Sequence, residues 1–386
     1  MSQRSGTSKR VLARIQRLCC LGIGSEMLMP DLVREVVRLL PARHGMFRWA
    51  GPNLEITNSY NTVSPRFAEL HLKELYLKPP ETDLCRPFRQ LMTLPEPNPV
   101  LQFWKHTLIV DRSTFMRSYF YDVLWRPCEG GECLMLRVRE ARRHHGALYA
   151  WRAPGEAPFE PRDLRLLESI VGFVAHGMSR SRLGSDAFED SDDRALLIAD
   201  LGGTVRHLGR QAQSLLMMAL VPRWSPTANW RRLHEPVPEI AWLCGVLAAT
   251  ASGRIGQPPP VLRLRNPWGE FVLRAYWLGP TDGAEQTREI GVTVERRVPR
   301  ALALRRRVED LPLTSREKQL CLLLARDLSG QDLTSMMGLA SSTVITHQRS
   351  AYSKLGVHSR TELLAALHQR ECDEHFSAGH AKRPGC

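Results

Sequence analysis

The strongest constraint on this chain lies near its C-terminal end, where residues 311–370 carry helix signals and no strand signals. Thr314 or Ser315 opens a helix as N-cap, with Glu317 and Lys318 in the first turn and Leu320, Leu323 and Leu324 on one apolar side. Asp327-Leu328-Ser329-Gly330 leads into a short helix over 331–337, and Gly338 supplies a turn. Ser341 or Ser342 caps a third helix that runs to Leu355. Gly356 stops it, and Ser359 caps a fourth. Helices this short are marginal alone and must bury their leucines against one another. Four of them, with a tight glycine turn between the second and third, describe a helix-turn-helix.

The stretch LTSREKQLCLLLARDLSGQDLTSMMGLASSTVITHQRSAYSKLGVHSRTELLAAL, residues 313–367, closely resembles the LuxR-type helix-turn-helix. The matching positions are Leu313, Thr314, Arg316, Glu317, Leu323, Leu324, Ala325, Leu328, Ser329, Gly338, Thr343, Val344, His347, Lys354, Leu355, Gly356, Val357, Ser359, Arg360, Thr361 and Glu362, in order and without a gap. The resemblance covers about one-seventh of the chain. It implies a domain that binds promoter DNA, with a fourth helix that helps to pair two subunits. Leu363, Leu364 and Leu367 are the candidate pairing residues, and ordinary core is the other reading of them. A symmetric homodimer would match a palindromic site.

A helix of about 14 residues is about 20 Å long and fits the major groove. In the third helix the spacing turns Val344, Ala351 and Leu355 inward and Ile345, Thr346, Arg349, Ser350 and Ser353 outward. Thr346, Arg349 and Ser350 can make polar or base-edge contacts, and Ile345 can meet a thymine methyl. Ser342, Thr343 and the free amides of the helix start suit phosphate. His347 and Lys354 complete the candidate DNA-binding set; a packing role for His347 is the other reading. The family commonly has a basic residue where Ile345 stands, and often where Gln331 and Met336 stand. It usually has an apolar residue at Gln348 and a larger one at Ala351. The expected surface is therefore less cationic than is usual there.

Upstream the pattern changes to mixed strands and helices, so the expected fold class is a multidomain α+β chain ending in an all-α domain. Strand-like segments fall at 44–50, 54–60, 115–125, 133–138 and 147–152, and helices at 66–77 and 161–178. Asp31 reads as the cap of an earlier helix that Pro41 ends. Residues 147–178 resemble the last strand and closing helix of GAF-like sensor domains, and 195–220 the start of a PAS-like domain. The expected layout is a GAF-like module over 1–180, an acidic linker over 181–193 and a PAS-like module over 194–300. A basic connector over 301–310, the helix-turn-helix over 311–370 and a tail over 371–386 complete it. Trp49, Trp104, Tyr119, Tyr121 and Trp151 are candidates to line a cavity, with core packing as the stronger expectation.

Composition narrows the function. The 386 residues and 43% hydrophobic share suit two to four globular domains. Nine scattered cysteines without a CxxC pair fit a reducing compartment rather than a disulfide framework. The longest apolar run, 240–252, is too short to span a bilayer, and no export signal is evident, so a cytoplasmic protein without membrane contact is expected. No phosphate-binding Gly-x4-Gly-Lys loop, receiver-type acidic pair or nucleophile–base constellation is present. His368, Cys372, His375 and His380 fit no standard zinc spacing, and His144-His145 reads as an exposed loop. No catalysis, metal or cofactor is expected. The expected partners are double-stranded promoter DNA, a second copy and a small-molecule or protein signal, with RNA polymerase as a further candidate. The competing reading is an adaptor that sequesters another regulator. Of the net +13, residues 311–386 hold only +2. Arg296, Arg297, Arg300, Arg305, Arg306 and Arg307 concentrate charge just before the helical domain, where a connector could approach phosphates.

Overall fold

Among the described residues of the computed structural model, two antiparallel sheets of five strands each, with helices packed on them, are followed by five helices. The structure describes residues 2–63, 84–140, 143–179, 188–223, 236–252, 258–278, 289–326 and 328–369. Residues 1–299 form one compact unit and 300–386 another. The helix expected over 66–77 and the tail cysteine and histidines lie outside the described residues.

The first sheet is assembled from β1 (His44–Ala50), β2 (Ile56–Asn61), β3 (Val100–Gln102), β4 (Cys133–Glu140) and β5 (Arg143–Trp151), in the order β2-β1-β5-β4-β3. Both faces are covered. Phe47, Leu134, Leu136 and Leu148 alternate with Met46, Met135, Ala147 and Trp151, and all eight are buried. Helices α1 (Ser2–Cys19) and α2 (Ser25–Leu39) precede the sheet, α3 (Phe88–Thr93) and α4 (Arg112–Met116) interrupt it, and α5 (Pro161–Glu168) and α6 (Val171–Met178) close it. Met46, Cys133 and Trp151 share a core with Phe103, Phe115, Phe120 and Leu124.

Several expectations need correction here. Asp31 lies inside α2, buried beside Arg34, and does not cap it. The segment 115–125 holds the end of α4 and a π-helical turn, Tyr121–Trp125, in place of a strand; its aromatics pack as a cluster rather than in a ladder. The helix over 161–178 is broken between Glu168 and Val171. His144 and His145 belong to β5, and His145 is buried.

The second sheet is built from β6 (Phe188–Ala199), β7 (Val205–Leu208), β8 (Val261–Asn266), β9 (Gly269–Trp277) and β10 (Ile290–Pro299), in the order β7-β6-β10-β9-β8. This is the same order as in the first sheet: the first strand pairs with the second and the fifth. Helices α7 (Arg210–Leu220) and α8 (Pro238–Ala251) pack on it, over buried Leu197, Val292, Val294 and Leu273, while Leu196 and Tyr276 on the other side stay exposed. Residues 188–193, expected as linker, are part of β6. Two of their acids form ion pairs, Asp190 with Arg297 at 3.0 Å and Asp193 with Arg296 at 3.3 Å.

In the second unit, α9 (Arg300–Asp310) precedes α10 (Ser315–Leu324), α11 (Gly330–Met337), α12 (Ser341–Leu355) and α13 (Arg360–Gln369). The expected connector is therefore a helix. Leu302, Ala303 and Val308 are buried, and so are Arg305 and Glu309. Its Arg307 donates to the Leu367 carbonyl at 2.8 Å.

Candidate nucleic-acid interface

The presentation of α12 depends on the turns that bracket it. Ser329 caps α11 in a reciprocal box with Asp332, and Gly338 ends that helix at φ +61°. An added Cβ there would meet no atom within 4 Å, so glycine is favoured for the left-handed backbone alone. Gly356 does the same at the end of α12, at φ +66°.

The start of α12 is open. Ala340, rather than Ser341 or Ser342, is the N-cap and provides no side-chain acceptor. The first backbone bonds run from Thr343 and Val344 to the Ala340 carbonyl. Ser341 and Ser342 sit in the first turn, with the helix dipole and outward amides directed at the same place.

Val344 and Ala351 are buried and Leu355 packs against the same core, as the spacing predicts. Ser342, Thr343, Thr346 and Arg349 are exposed, as is Ile345 at 45%. His347 is half-buried. The Thr346 hydroxyl donates to the Ser342 carbonyl at 2.9 Å, so its oxygen is left as an acceptor.

Ser350 and Lys354, candidates for DNA contact, also bond across to α10. Both reach the Glu317 carboxylate of α10, Ser350 at 2.7 Å and Lys354 at 2.7 and 2.8 Å. Glu317 also completes the capping box with Thr314. Burial pushes its carboxyl up, but hydrogen bonds from Lys354, Ser350 and Thr314 outweigh that and hold it at about 2. One buried carboxylate thus closes α10 and fixes the roll of α12. The sequence places Glu317 in a first turn and among the positions that match the family. The Thr314-x-x-Glu317 spacing could have revealed the box. Nothing local pointed to partners 33 and 37 residues away.

Two of the three candidate pairing residues do not reach the surface. Leu363 and Leu367 are 0% and 2% exposed within the domain's own core, beside Leu320, Leu324 and Val308. Burial there agrees with the core reading of these two side chains. Leu364 is half-buried. Arg360 donates twice to the Leu324 carbonyl, capping the end of α10.

Of the cavity candidates, Trp49 and Trp151 are buried, Trp104 and Tyr121 half-buried, and Tyr119 exposed. Trp104 packs edge-on against Phe103 and Phe115. Among the described residues no group of three His, Cys, Asp or Glu side chains is placed to hold a metal ion, and no helix is long and apolar enough to cross a membrane.

Residues 311–367 match the GerE family, bacterial regulatory proteins of the luxR family. The C-terminal segment is therefore a LuxR-family helix-turn-helix domain, of the kind used in DNA-binding transcription regulation. No curated protein matches the chain.

Proposed function

We propose that this chain, which carries a LuxR-type domain at 311–367, is a sequence-specific regulator that binds promoter DNA as a homodimer in the cytoplasm. The observation that carries the reading is α12: its inward side is locked by Val344, Ala351 and the Glu317 carboxylate, and its outward side is left to Ile345, Thr346 and Arg349. Ser342, Thr343 and the uncapped amides take a phosphate, His347 contacts the backbone, and Arg349 reads a base edge. Ser350 and Lys354 act through position, holding α12 in register.

Residues 1–299 supply control, as GAF-like and PAS-like modules that bind a small-molecule or protein signal. The repeated strand order supports one sheet architecture used twice. A signal that binds two conformations unequally would shift dimerisation or the engagement of RNA polymerase.

Arg349→Ala in the full chain tests the reading. The expected loss is about 1–3 kcal/mol of DNA affinity with an unchanged thermal melt. Unchanged affinity would show that α12 is not the reading helix. The second reading, an adaptor that sequesters another regulator, is favoured by exposed Met336 and Ile345 on the helix-turn-helix. It gains ground if the folded chain binds no duplex from its own genomic neighbourhood at low salt.

A further inference from the structure

We infer that Ile345 recognises a thymine methyl group and that, with Arg349, it sets the base preference of α12; the inference rests on the DNA-binding reading above. Ile345 is a branched aliphatic side chain, a type that folding usually buries, yet it is 45% exposed. The core does not require it, because Val344 and Ala351 already fill the inward side of the helix. Arg349 stands one turn further along the same exposed stripe. The pair therefore projects one apolar and one forked cationic group into whatever groove receives the helix.

In the major groove, thymine is distinguished by its C5-methyl, and guanine by the O6 and N7 acceptors that match an arginine fork. Ile345 has no donor or acceptor with which to read any other feature. Residues four apart on a helix are separated by about 6 Å along its axis, roughly two base steps. The recognised half-site should accordingly contain a thymine and a guanine within about two steps of each other. The Thr346 methyl is the nearest rival for the same contact. Its hydroxyl is tied to the Ser342 carbonyl, which leaves the methyl and one acceptor outward.

The test enriches duplexes from a random pool with the full chain, then replaces each thymine of the bound site singly by uracil. Uracil keeps both hydrogen-bonding edges and removes only the methyl. One thymine per half-site should respond, with binding weakened about fourfold, the worth of one buried methyl. That response should vanish in Ile345→Ala, persist in part in Ile345→Val, and survive in Thr346→Ser. The side chain is exposed, so these variants should melt with the parent chain. A site at which no thymine responds overturns the inference, as does a response unchanged in Ile345→Ala or abolished by Thr346→Ser. All three outcomes leave DNA binding itself intact. A pool that yields no bound duplex at low salt overturns the inference and the DNA-binding reading together.

Discussion

Glu317 and Arg349 show how one domain uses charge in two ways. Arg349 is exposed and, among the described residues, makes no recorded hydrogen bond or ion pair, so its guanidinium can meet a new partner. Glu317 is buried and fully committed, with Thr314, Ser350 and Lys354 around it. Because its folded value of about 2 lies below the ordinary 4.5, it contributes stability that is fully present above pH 4.5 and lost as pH falls toward 2. Glu317→Gln should destabilise the helical domain at neutral pH by about 1.5–3 kcal/mol. It should also flatten the decline between pH 4.5 and 2. Hydrogen exchange of the α12 amides as a function of pH checks both, and parallel pH curves for the two proteins would show that Glu317 is not the responsible group. The outward residues of α12 were legible from the 3.6-residue period, because the period alone decides which side chains oppose Val344 and Ala351. The inward engagement of Ser350 and Lys354 was not, because it depends on how α10 and α12 cross.

At the scale of elements, the six arginines between 296 and 307 show where composition misleads. A basic run without acids reads as a solvated connector, but the strand and helix that contain it recruit acids and carbonyls from elsewhere. Arg296 is buried in β10 and donates twice to the Trp268 carbonyl, at 2.8 and 2.6 Å. Arg297 bonds Asp190 and the Phe188 carbonyl of β6. Replacing Arg296 by alanine should thus lower the stability of the first unit and leave the salt slope of DNA binding unchanged. A slope flattened by about 0.9 would mean that it contacts a phosphate after all. The turn between α11 and α12 gives a complementary case. Gly338 is surrounded by space, so Gly338→Ala should cost about 1–2 kcal/mol through backbone conformation alone, and Gly338→Asn less. Thermal melts of the two variants check the order; equal costs would point to a packing conflict. This turn was legible in the sequence, since few residues but glycine end a helix in that way.

On the scale of the whole molecule, the first unit holds two sheets of identical strand order, and no sequence repeat announced it. The order depends on pairing the first strand of each sheet with its last, β1 with β5 and β6 with β10, a non-local choice that strand periodicity cannot express. What joins the sheets is equally non-local. Trp268, in the turn between β8 and β9, is wholly buried and meets Trp49 of β1 edge-on at 5.7 Å and Tyr60 of β2 at 6.1 Å. Its indole donates to the Val221 carbonyl at the end of α7, at 3.2 Å, and its own carbonyl receives Arg296. One side chain therefore packs against strands of both sheets within the compact unit 1–299. Trp268→Ala should cost about 3–5 kcal/mol and split the calorimetric unfolding of that unit into two transitions in the full chain. Trp268→Phe, which keeps a ring against Trp49 but loses the bond to Val221, should lower the melting temperature without splitting it. If the alanine variant still unfolds residues 1–299 in one step, the sheets are coupled through other contacts, and a signal felt by one sheet would not need Trp268 to reach the other.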